Sequence, residues 1–66
     1  MKLEDVTKEM LIAADIANVV WLRDDWLSMR GYETDPEKLA VYDRIADMKQ
    51  EMVAEGYSFK CDREGI

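Results

Sequence analysis

The stretch 10–22, MLIAADIANVVWL, limits what the rest of the chain can do. Eleven of its thirteen residues are apolar, the exceptions being Asp15 and Asn18. Read as a helix at about 100° per residue, it fills one broad side with Ile12, Ala13, Ile16, Ala17, Val19 and Val20. Leu11, Ala14, Trp21 and Leu22 spread onto the other side. A helix apolar nearly all round must be buried nearly all round. One neighbouring helix covers one side only, so the pattern predicts more than one neighbour.

The chain's 66 residues fit one domain. At that size only about 60% of the unfolded surface is buried on folding. Disulfides, a metal or oligomerisation usually supply the missing stability. There is one cysteine, Cys61, and no histidine, so an intrachain disulfide and a Cys/His zinc site are both ruled out. Association remains. A lone cysteine in a polar C-terminal stretch also points to a reducing compartment. Nine basic and fifteen acidic residues give a net charge of −6, which opposes binding to nucleic-acid phosphates or anionic membranes. No signal-peptide pattern is present. The stretch 10–22 falls short of the roughly 20 apolar residues needed to cross a bilayer. The expectation is a cytoplasmic protein, with the initial methionine read as the start of a complete short reading frame.

The pattern predicts two helices. The first is expected over 7–30, with Thr7 as N-cap and Val6 and Leu11 at the spacing of a hydrophobic staple. Its seam Val6, Met10, Ala13, Ala17, Val20, Asp24 and Leu27 alternates steps of four and three. A second seam, Ile12, Ile16, Val19, Arg23 and Trp26, runs beside it. Gly31 is expected to end the helix in a left-handed conformation, with a turn over 31–35. Asp35-Pro36-Glu37 then reads as N-cap, first helical position and acidic first turn of a second helix over 36–55. That helix has Val41, Ile45, Met48 and Met52 as its apolar seam and Gly56 as its stop. Residues 56–66 are expected to form a tail, Tyr57 and Phe59 folding back and 60–66 mobile.

The expected fold is therefore all-α: a two-helix antiparallel hairpin pairing into a dimeric four-helix bundle. Leu11, Ile12, Ala13, Ile16, Ala17, Val19 and Val20 are expected at the dimer interface. This outline is similar to the Rop family of plasmid RNA-organising proteins, dimers of short helical hairpins that present basic and aromatic side chains to RNA. Here the expected first helix has only Lys8, Arg23 and Arg30 as basic residues, with Asp15, Asp24 and Asp25 among them, so direct nucleic-acid binding does not follow.

The inventory opposes catalysis. Without histidine there is no Ser-His or Cys-His dyad. No glycine-rich phosphate loop occurs. Glu33, Asp35 and Glu37 lack the spacing of a calcium loop. No cofactor or metal is expected. Two features point instead to a protein partner. Asp43, Asp47, Glu51 and Glu55 form an i, i+4 acidic row suited to a basic surface. Trp21, Arg23 and Trp26, with Tyr32, are residue types that anchor interfaces. The expected function is that of a small acidic inhibitor or modulator of another protein. A host regulator, DNA-binding protein or nuclease is the expected target, with a bacteriophage or mobile element as source. The alternatives are a subunit of a larger assembly and a Rop-like nucleic-acid organiser.

Overall fold

The computed structural model describes residues 2–64, with the backbone alone described at Arg30, Gly31 and Glu64. The described residues are all-helical, with no strand. Four α-helices carry the fold: α1 (Lys8–Ile16), α2 (Asp24–Leu27), α3 (Pro36–Ala54) and α4 (Lys60–Glu64). Three 3-10 turns, Leu3–Asp5, Val20–Leu22 and Ser28–Tyr32, link or precede them.

The start of α1 follows the sequence signals. Thr7 Oγ1 accepts a hydrogen bond from the Met10 amide at 3.1 Å, and Val6 and Leu11 are both buried. Its end does not. A helix over 7–30 would be about 36 Å long at 1.5 Å per residue, longer than the 31 Å maximum extent of the molecule. The helix stops at Ile16 because Asn18 adopts a positive φ of 56°. The Val19 amide reaches back to the Ala14 carbonyl at 3.1 Å and the Asn18 amide to Asp15 at 3.0 Å. These two bonds make a Schellman stop, and asparagine is the non-glycine residue best suited to its left-handed position. The long first arm of the expected hairpin is therefore four shorter pieces: α1, the turn Val20–Leu22, α2 and the turn Ser28–Tyr32. Gly31, expected as the left-handed stop of that arm, lies within the 3-10 turn Ser28–Tyr32.

The second helix is where the sequence places it. Asp35 caps it by accepting from the Glu37 amide at 3.0 Å, and Pro36 opens it. Gly56, at φ 103°, closes it with a second Schellman pair, Tyr57 to Met52 at 2.9 Å and Gly56 to Val53 at 3.0 Å. Val41, Ile45, Met48 and Met52 face the core, joined there by Leu11, Leu22, Leu27 and Phe59.

The expected mobile tail is a further correction. Residues Lys60–Glu64 form α4, and Cys61 is only 1% exposed. Two polar residues hold this end of the chain. Asp15, one of the two polar interruptions of the apolar stretch, is buried and accepts three hydrogen bonds. They come from Tyr57 Oη at 2.8 Å, the Lys60 amide at 3.0 Å and the Cys61 amide at 2.8 Å. Its carboxylate thus satisfies amides at the start of α4 that have no partner within the helix. Lys49 is the other. Among the described residues no buried side-chain nitrogen or oxygen lacks a hydrogen-bond partner.

Candidate functional site

The length mismatch between helices creates the most distinctive surface. At 1.5 Å per residue, nineteen-residue α3 runs about 28 Å and nine-residue α1 about 14 Å. One short helix cannot cover the whole apolar side of the longer one. The N-terminal half of that side is left to the 3-10 turn Val20–Leu22 and to α2, which bring both tryptophans. The result is an open groove of about 460 Å³ lined by Val20, Trp21, Trp26, Lys38, Val41, Tyr42 and Ile45. A second hollow of about 340 Å³, lined by Met29, Tyr32 and Glu33, shares Trp26 and Tyr42 with it. The Trp26 and Tyr42 rings meet edge to face at 5.2 Å between centroids, the favoured geometry for an aromatic pair.

The groove brings together part of the expected partner-binding set. Trp21 and Trp26 are both half-buried along it, whereas Tyr32, 87% exposed, lines the adjoining hollow. Arg23 is not a groove residue; its guanidinium pairs with Asp25. The acidic row stays apart, with Asp43, Asp47 and Glu51 exposed on the outer face of α3. Glu55 is engaged by a cation from another helix: Lys8 Nζ donates to it at 2.8 and 3.0 Å.

The expected dimer-interface residues divide in two. Leu11 is fully buried inside its own chain and Val19 half-buried. Ile12, Ala13, Ile16, Ala17 and Val20 are exposed, Ile16 at 70%.

Lys49 positions the wall of the groove, and the sequence reading passed over it. It lies one turn after Ile45 on the apolar side of α3 and is 4% exposed. Its ammonium donates to the Leu22 carbonyl at 2.7 Å, to Asp24 at 2.7 Å and to Asp62 at 2.8 Å. It also sits 5.0 Å from the centre of the Phe59 ring. Asp62 uses its second oxygen to accept from the Asp24 amide at 2.9 Å, capping α2 from the far end of the chain. Three donors meet three acceptors, so one lysine ties α2 and α4 to α3. The only sequence signal was a cation beside Met48 and one turn from Ile45, on the side of α3 that carries the apolar seam.

Burial pushes the Lys49 ammonium down, but its bonds to Asp24 and Asp62 prevail and hold it above the ordinary 10.5. Burial pushes the Asp15 carboxyl up, and the amides of Cys61 and Lys60 with the Tyr57 hydroxyl outweigh that and hold it below 3.8. Burial, helped by Asp15, raises Tyr57 above 10.0 and Cys61 from 9.0 to about 11. The signs fix the pH limits. A depressed carboxyl contributes stability that is complete above its unfolded value and lost as pH falls through the folded one. Raised groups contribute stability that is complete below their unfolded values and lost as pH rises through the folded ones. Thermal melts should therefore show an acid limb below about pH 4 that depends on Asp15 and an alkaline limb beginning near pH 9. An acid limb unchanged in Asp15→Asn would refute the first assignment.

Among the described residues no three Cys, Asp or Glu side chains converge as metal ligands. No described helix is long and apolar enough to cross a membrane. Fold and groove together define a small all-helical protein with an open aromatic cleft. No protein-family model, no curated protein and no solved structure matches the chain.

Proposed function

We propose that this chain is a non-enzymatic protein-binding module that inhibits or modulates the protein it binds. An apolar segment of the partner sits between Trp21 and Trp26, and the acidic outer face of α3 draws a basic surface toward it. The observation that carries this reading is the open groove lined by two tryptophans and a tyrosine. Concave, mainly apolar sites with few polar groups are where ligands and anchoring side chains dock. The net charge of −6 supports a basic partner, such as a DNA-binding regulator or a nuclease. Cys61 argues for the absence of nucleophilic catalysis, because burial raises its thiol where a nucleophile needs it lowered. The same proposal makes the chain a homodimer, through α1 and not through the groove.

The test is capture of partners on the immobilised chain, followed by binding kinetics at two salt concentrations. Trp26→Ala should weaken binding about 30-fold or more, chiefly through faster dissociation and with little salt dependence. Tyr32→Ala should weaken it without altering stability, since Tyr32 is almost wholly exposed. Asp47→Lys/Glu51→Lys should slow association and flatten its salt dependence. A captured partner indifferent to Trp26 and Tyr32 would refute the groove as its site.

A further inference from the structure

We propose that α1 is the contact between two copies of this chain, packed antiparallel about a twofold axis with Ile12 and Ile16 at its centre. This rests on the homodimer part of the reading above and is independent of the groove. Within one chain α1 turns Leu11, Ala14 and Asp15 inward. Ile12, Ala13, Ile16 and Ala17 face solvent on one side, whereas Val20, beyond the turn, lines the groove. Ile16 is free for a contact between copies because the chain's own core does not use it.

Charge selects a second copy as the occupant. Two molecules of net charge −6 repel wherever charged faces meet. Meeting through the outer face of α3 would set Asp43, Asp47 and Glu51 against themselves. From Ile12 to Trp21 the surface carries no formal charge, because Asp15, the only ionisable residue there, is bound to α4. A cationic partner, in contrast, is drawn to the acidic faces and gains no ion pair at α1. Ala13 and Ala17 keep the approaching backbones free of bulk, and helix separation depends on side-chain size at the contact.

Charge also selects the orientation. Glu9 is exposed one turn before Ala13. Parallel packing would bring Glu9 of both copies together and align helix dipoles of the same sense. Antiparallel packing separates those carboxylates and sets each N-terminal end beside the opposite C-terminal end. The twofold then places Ala13 against the partner subunit's Ile16 and Ile12 against the partner subunit's Ala17, large against small on both sides.

Sedimentation of the full chain across micromolar concentrations should give the dimer mass, with a melting temperature that rises with concentration. Ile16→Lys should raise the dissociation constant about 30-fold or more while helical circular dichroism is kept, because residue 16 is exposed in the single chain. Ala17→Trp blocks close approach without adding charge, and carries the test should the lysine variant fail to fold. Orientation is read in a Cys61→Ala background by mixing Ala13→Cys chains with Ile16→Cys chains under mild oxidation. The mixed disulfide should dominate. A monomer at every concentration would overturn the dimer and leave α1 for a different protein. A dimer that survives both Ile16→Lys and Ala17→Trp would overturn the surface but not self-association. A predominant Ala13→Cys self-disulfide would overturn the antiparallel arrangement.

Discussion

Lys49→Met should destabilise the chain by about 3 kcal/mol, the low end of the range for removing one member of a buried ion pair. The low end applies because the three partners differ in exposure. The Asp24 side chain is 76% exposed and returns to water at little cost. Asp62 is 27% exposed, and the Leu22 carbonyl loses its buried donor, so these two carry the penalty. For a domain whose net stability is only about 3–5 kcal/mol, that loss leaves little folded margin. Urea denaturation followed by circular dichroism measures it. Tryptophan emission should shift as well, since the anchored segment carries Trp21 and Trp26. Lys8→Ala is the control: its pair with Glu55 lies on the surface, and its removal should be hard to detect. Equal losses in the two variants would mean that Lys49 is not the tie between α2, α3 and α4.

Asp15→Ala is expected to have the second-largest effect, about 2 kcal/mol. It removes a cap and leaves the Lys60 and Cys61 amides and the Tyr57 hydroxyl without their acceptor. The effect should be local before it is global. Amide exchange at residues 60–63 should accelerate more than exchange in α3, because both backbone amides that lose their acceptor lie in the first turn of α4. Asp15→Asn keeps one acceptor oxygen and should fall between. Undiminished protection of α4 in Asp15→Ala would refute the capping role.

These two residues also mark where the sequence could and could not be read. Signals confined to a few neighbouring positions translate directly into structure. Thr7, Asp35-Pro36-Glu37 and Gly56 act within one turn of themselves, and each begins or ends a helix as its chemistry requires. The buried seam of α3 follows from spacing alone. Asn18 carried a local signal as well, but apolar neighbours on both sides favour continuing the helix, and that pattern outweighed a residue able to take positive φ. Lys49 and Asp15 carried no local signal. Asp15 finds its acceptor role at residues 57–61, and Lys49 at residues 22, 24 and 62. Until the chain has folded, a carboxylate in an apolar run looks like an interruption and a tail of charged residues looks solvated. The groove was half legible: its aromatic residues stood out, but their convergence depends on the break at Asn18.

The burial of Cys61 also determines what chemical reagents can learn from this molecule. With its thiol raised to about 11, only roughly one in ten thousand folded chains carries a thiolate at neutral pH. Alkylating reagents act on the thiolate, and the sulfur is enclosed beneath α4. In the folded chain this single cysteine is chemically silent until the C-terminal helix lifts. The pace of its modification is then a clock for that opening, running inside the protein without an added label.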